Sequence, residues 1–156
     1  IRKTGLLTIR LDKEDSLVKA DFSSGDDDIV IVTKKGQAIY MSEKDVRSMG
    51  RSAGGVCGIK LAKDDIVIGM GVVRKSDSKS KVALLTVSEN GYGKKTYVKD
   101  YRYQKRGGVG SRTFHITDKT GELAGAKLVD EHELMFVVSK KGLSIQVELK
   151  DVPILS

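Results

Sequence analysis

Three stretches of this chain carry one pattern: Ile29–Gly36 (IVIVTKKG), Ala83–Gly91 (ALLTVSENG) and Leu134–Gly142 (LMFVVSKKG). Each is a β-rich apolar run, then Ser or Thr, then two polar residues, then glycine. Apolar residues return afterwards at Ala38-Ile39-Tyr40, Thr96-Tyr97-Val98 and Ile145-Gln146-Val147. Such a segment predicts a β-hairpin whose glycine takes the positive φ of the turn. A lone hairpin is marginal in water, so repeated units must bury their apolar faces on one another.

A second element follows the first two hairpins. Gly54-Gly55-Val56 comes after the basic stretch Arg47–Arg51, and Gly107-Gly108-Val109 comes after Arg102–Arg106. Matching these glycine pairs aligns the two loops. Further strand pairs are expected beyond them. Val56–Leu61 leads through Lys63-Asp64-Asp65 to Ile66–Met70, and Thr113–Ile116 leads through Asp118–Gly121 to Glu122–Ala126. The period is roughly 50–55 residues with about four strands per unit, the size of a propeller-like blade. The expected fold is therefore all-β, with antiparallel repeats and ends cut out of phase. Residues 1–25 read as the back half of a blade, 26–79 and 80–131 as full repeats, and 132–156 as a front half. In the back half, Gly5–Leu11 and Leu17-Val18 read as strand. Ser42–Arg47 reads as a short bend, with a helical turn capped by Ser42 as the alternative. Val98–Tyr101 and Leu149–Val152 occupy the same place after their hairpins.

Composition narrows the function. The net charge of +7 favours a polyanionic partner over an acidic substrate. Cys57 is the one cysteine, so no disulfide forms within the chain, and a reducing, cytoplasmic setting is expected. Its apolar surroundings predict a core position. No apolar run approaches the ~20 residues that span a bilayer, and no membrane partner is expected. The chain opens with Ile1, as expected of a fragment.

Catalytic signatures are weak. Gly93-Lys94-Lys95-Thr96 has Lys95 where a phosphate-binding P-loop requires Ser or Thr, and its context is a hairpin. His115 and His132 have no partner at metal-ligand spacing and read as surface or structural residues. Asp26-Asp27-Asp28 reads as a solvated turn, as do Lys34-Lys35-Gly36 and Lys140-Lys141-Gly142. No nucleophile–base arrangement stands out. No catalytic residue, metal site or cofactor is expected in this chain.

The stretch Gln104–Gly110 (QKRGGVG) resembles the Q-R-R-G-G-K-G box of the C-terminal domain of DNA gyrase A. Val32–Gly36, Asp45–Arg51, Gly58–Leu61 and Asn90–Thr96 resemble blades of the same domain, so the similarity runs over essentially the whole chain. Lys105 stands where the box has its first Arg, and Val109 where it has Lys. The residues around this copy resemble a later blade, which implies that the principal box lies upstream. The resemblance implies a β-pinwheel whose hairpin strands are exchanged between neighbours, with duplex DNA bound and bent around the outer rim. It also implies the remaining domains of gyrase A, together with gyrase B, as partners, and catalysis elsewhere in that enzyme. The C-terminal domain of topoisomerase IV is the related alternative.

The residues suit that task. Phosphate contacts give affinity without reading sequence. Glycines at 107 and 108 would let backbone N–H groups approach a phosphate, with Lys105 and Arg106 beside them and Arg102 and Arg112 flanking. Arg47 and Arg51 offer the same in the preceding repeat, and Lys60, Lys94 and Lys95 extend the track. A duplex touching successive blades must bend. A protein–protein scaffold and an enzyme using a central channel are the rival classes. Aromatics at 5% disfavour the first, and no converging polar groups support the second. The open ends are expected to pair with each other, within one chain or across two in a homodimer.

Overall fold

Alternating apolar residues and a turn glycine produce all three hairpins in the computed structural model, which describes residues 4–156. Strand β1 (Asp28–Thr33) pairs with β2 (Gln37–Ser42), β4 (Ala83–Ser88) with β5 (Gly93–Tyr97), and β8 (Leu134–Val138) with β9 (Ser144–Glu148), all antiparallel. The turn glycines Gly36, Gly91 and Gly142 each sit at φ +84°, where a side chain would be strained.

A third strand lines the other edge of the first two hairpins. These are β3 (Val67–Val73) beside β1 and β7 (Leu123–Val129) beside β4. The fourth place is filled by the next repeat. Strand β6 (Ser111–Arg112) leaves its own unit and pairs with β2 of the preceding one, through Gln37↔Arg112 and Ala38↔Ser111. The first sheet thus runs β3-β1-β2-β6 and the second β5-β4-β7. Parallel bridges Tyr40↔Tyr103 and Lys95↔Ile154 mark the same crossing twice. The fold is an all-β, propeller-like array with exchanged strands. Each hairpin ends in a 3-10 turn, at Glu43–Asp45, Val98–Asp100 and Leu149–Asp151. Ser42 caps the first through its Oγ, which accepts from the Lys44 N–H at 3.2 Å.

The core lies between blades. Val30, Val32, Ala38, Tyr40 and Val73 of the first sheet pack with Leu84 and Leu123 of the second and with Val98 of the 3-10 turn that follows its hairpin. Burying one such aliphatic side chain contributes about 1.5–3 kcal/mol. Gly71 allows the approach, since a Cβ there would lie 2.5 Å from Leu128 Cδ1. A second cluster packs Leu85 and Val129 against Leu149, Val152 and Met135.

Several expectations change. Residues 4–27 contain no strand, although Gly5–Leu11 and Leu17-Val18 alternate like one. No hairpin stands beside them, and a strand needs a partner for its backbone groups. Val56–Leu61 and Thr113–Ile116 are also not strands. They cross between blades, held by single contacts such as the Ile59↔Gly108 bridge. The two ends do not pair within the chain, because β8 and β9 form a two-stranded sheet of their own. Ile1–Lys3 of the expected back half lie outside the described residues. Cys57 is exposed rather than core, and Ile59, two residues on, is the buried member of that crossing segment.

Lys140-Lys141-Gly142 is exposed as expected, but the other two turns are less solvated. Lys34 bridges to Glu122 at 3.1 Å and Glu89 at 3.3 Å, which raises its pKa. Asp27 is only 2% exposed. Its carboxylate accepts from the backbone N–H groups of Ser24 (2.8 Å) and Lys75 (3.0 Å) and from Arg74 Nη1 (3.2 Å). Those donors, the backbone ones foremost, lower its pKa to about 2. Asp26 pairs with Lys44 and Lys75, and Asp28 with Lys79. The acidic triplet thereby pins the basic linker that joins the first two repeats.

Candidate nucleic-acid interface

The box residues act first as a latch between repeats. The Gln104 N–H donates to Tyr40 O at 2.8 Å, and the Gly107 N–H donates to Gly58 O at 2.7 Å. In return the Lys60 N–H donates to Gly108 O at 2.9 Å. Arg106 adds its side chain, Nε donating to Asp45 O at 2.9 Å and Nη1 to Cys57 O at 3.4 Å. Every residue bound there belongs to the preceding repeat.

This corrects the expected role of the glycines. Gly107 spends its N–H on Gly58, and the Gly108 N–H turns back to Lys105 O at 3.4 Å. Neither is aimed at an external phosphate. Gly107 is needed for its φ of +78°. A Cβ at Gly108 would lie 2.8 Å from Gln104 Oε1, the movable end of a side chain, and 3.4 Å from Lys105 O, so a larger residue there requires Gln104 to shift.

The loop alignment also changes. The turn closed by Gly108 N–H to Lys105 O in the second repeat is closed by Ala53 N–H to Gly50 O, at 3.0 Å, in the first. The bond from Lys60 to Gly108 likewise has its counterpart in Arg10 N–H to Ala53 O, at 3.1 Å. Ser52-Ala53, not Gly54-Gly55, are therefore the equivalents of Gly107-Gly108. In this register KDVRSMGR (Lys44–Arg51) lies on KDYRYQKR (Lys99–Arg106) without a gap. Arg47 matches Arg102, and Arg51 matches Arg106. The conspicuous glycine pairs hide this shared cation register in the sequence, and Lys44 and Lys99 also join it. Counting forward from each 3-10 turn would have found it.

Arg47, Arg51, Lys60, Arg102, Lys105, Arg106 and Arg112 are all exposed. Among the described residues, only Arg106 of these seven uses its side-chain donors on a protein acceptor. Lys95 leaves the candidate set. It is 2% exposed, and its Nζ donates to Leu149 O at 2.5 Å, joining the second blade to the third hairpin. Its place on β5 turns it toward that hairpin. Lys94 is half-buried, and desolvation lowers its pKa. Among the described residues no group of His, Cys, Asp and Glu is arranged to hold a metal ion. No helix there is long and apolar enough to cross a membrane.

The profile of a family described as "DNA gyrase C-terminal domain, beta-propeller" matches residues 27–74 and 83–130, more than half of the chain. The DNA gyrase A protein of Staphylococcus epidermidis is 38% identical over 97% of this chain, and that of Clostridium acetobutylicum is 44% identical over 97%. The chain spans only 17% and 18% of the length of those two relatives. Among solved structures, a DNA gyrase A C-terminal domain superposes with a TM-score of 0.85 at 29% identity. The match covers 99% of this chain and 51% of that one. The C-terminal domain of a DNA topoisomerase IV superposes with a TM-score of 0.87 at 19% identity over 96% of this chain and 45% of its own, a likeness of fold. The repeated hairpins, the exchanged strands and the box latch agree with these matches, and the chain belongs to the DNA gyrase C-terminal domain, beta-propeller family.

Proposed function

We propose that this chain binds duplex DNA without sequence preference and bends it along its exposed cations, as a non-catalytic module of a gyrase-type topoisomerase. The observation that carries this reading is the recurrence of exposed arginines at equivalent places in successive repeats, Arg47 with Arg102 and Arg51 with Arg106. Equivalent positions on successive blades follow the curvature of the array, so a duplex held by both sets is bent. Smooth bending of 20–30 base pairs by 40–90° costs on the order of 1–6 kcal/mol, which several phosphate contacts offset. Lys105, Arg112 and Lys60 add charge beside the arginines. Arg contributes paired donors to one phosphate, and Lys a point charge. Bond breakage and nucleotide use belong, in this reading, to other domains of gyrase A and to gyrase B, in a cytoplasmic enzyme.

Fluorescence anisotropy with short duplexes of unrelated sequence tests this. Equal, micromolar or tighter binding to all of them at low salt is expected. Absence of binding, or strong preference for one sequence, contradicts it.

A further inference from the structure

The first two repeats hold an equivalent lysine in opposite electrostatic settings. Lys44 and Lys99 each lie in the 3-10 turn that closes their hairpin. Lys44 Nζ is 2.5 Å from Asp26 Oδ1, and Lys75 takes the other oxygen of the same carboxylate. The hydrogen bond to Asp26 raises the Lys44 pKa. Lys79 Nζ donates to Asp28 Oδ2 at 2.8 Å. Three exposed lysines of the first repeat and its linker are thus already neutralised.

The second repeat has no carboxylates at those places. The hairpin registers set Asp28 on Ala83. Glu43 N–H donates to Asp27 O and Val98 N–H to Val82 O, both at 3.1 Å, which sets Asp27 on Val82. Lys81 therefore stands where Asp26 stands. Among the described residues neither Lys81 nor Lys99 forms an ion pair. Glu131 binds the Tyr97 hydroxyl, while Lys99 Nζ lies 5.2 Å from the Tyr97 ring centroid. Asp45 and Asp100 follow the two lysines alike and cancel from the comparison. The acidic node also touches the box loop. Tyr103 OH donates to Asp28 Oδ1 at 3.0 Å, and Arg106 Nε donates to Asp45 O, next to Lys44.

We propose that Asp26 and Asp28 compete internally with the DNA phosphates and withhold Lys44, Lys75 and Lys79, so that at these equivalent positions the duplex is held by Lys81 and Lys99 of the second repeat. The inference rests on the duplex-binding reading above and adds which lysines take part. Its physical basis is ion exchange. A free lysine that meets a phosphate releases a condensed cation from the DNA. A lysine that leaves a carboxylate for a phosphate releases that cation too, but the abandoned carboxylate recruits another. Such an exchange gains little affinity and adds nothing to the salt dependence. Exposed ion pairs are individually weak, so removing one carboxylate returns its lysines to the duplex.

Fluorescence anisotropy of the whole chain with one short duplex, titrated against salt, tests this. The Asp26 carboxylate is exposed and pairs only with the two lysines among the described residues. Asp26→Asn should bind about fivefold more tightly than wild type and steepen the slope of log K against log salt by about 0.9 for each lysine released. The same substitution made together with Lys44→Ala and Lys75→Ala should lose that gain. Lys99→Ala should flatten the wild-type slope by about 0.9, whereas Lys44→Ala should leave it unchanged. Circular dichroism confirms that each variant stays folded. Unchanged affinity and slope in Asp26→Asn overturn the inference, while wild-type binding keeps the duplex-binding reading. A gain that persists without Lys44 and Lys75 also overturns it, since only the loss of a negative charge would then matter. Equal slope changes in Lys44→Ala and Lys99→Ala do the same. Absence of binding in every variant overturns the reading and the inference together.

Discussion

The first and third hairpins have nearly the same sequence plan and very different surroundings. IVIVTKKG and LMFVVSKKG both make two antiparallel strands around a glycine at φ +84°. Yet β1 and β2 are mostly buried, while β8 and β9 are mostly exposed. Local pattern is sufficient for the hairpin, and burial comes from the neighbouring blade. Stability should therefore concentrate between blades rather than within them.

Phenylalanine offers the sharpest test of that contrast. Phe114, 7% exposed between the first two blades, should lose about 3–5 kcal/mol as Phe114→Ala. Phe136 is 67% exposed, and Phe136→Ala should change stability by about 0.5 kcal/mol or less. Chemical denaturation of both variants checks this, and equal losses would break the comparison.

The turn glycines come next. A Cβ at Gly36 would overlap the Phe114 carbonyl oxygen, whereas one at Gly142 meets nothing within 4 Å. Gly142→Ala should cost only the left-handed backbone strain, about 1–2 kcal/mol. Gly36→Ala should cost about 2 kcal/mol more, because the second repeat must also move. Thermal melts of the pair decide it.

These pairs show what was legible in the sequence. Alternating apolar residues and turn glycines located the hairpins because those signals are local. The strands expected at Gly5–Leu11, Val56–Leu61 and Thr113–Ile116 carried the same alternation, but strand formation depends on a partner's backbone. Lys95 read as a surface cation because charge alone does not reveal which face of β5 is covered. The glycine pairs misled the loop alignment, since Ser52-Ala53 makes the same turn without them.

Acid should loosen the first repeat before it loosens the third hairpin. Asp27 has a folded pKa of about 2, below its ordinary value of 3.8. Its contribution is therefore full above about pH 4 and lost as pH falls toward 2. Asp27→Asn should remove that part of the acid-induced loss, read as a flatter stability curve between these pH values. An unchanged curve would mean that Asp27 does not hold the linker.

The smallest expected effect is at the latch. Arg106→Ala removes two side-chain bonds to the preceding repeat and should cost about 1 kcal/mol. Arg51→Ala, whose side chain has no protein acceptor among the described residues, should cost about 0.5 kcal/mol or less. Equal costs would remove the distinction between latch and outward cation.

The proposed bending of DNA depends most on charge recurring in register along the exposed surface, and the salt dependence of duplex binding tests that recurrence directly. For the wild-type chain, log K should fall linearly with log salt. Replacing Arg47, Arg51, Arg102 and Lys105 together by Ala should flatten that slope by about 0.9 for each phosphate contact removed. A slope that is shallow from the outset, or that is the same in the fourfold variant, would contradict a cationic track shared by the two repeats.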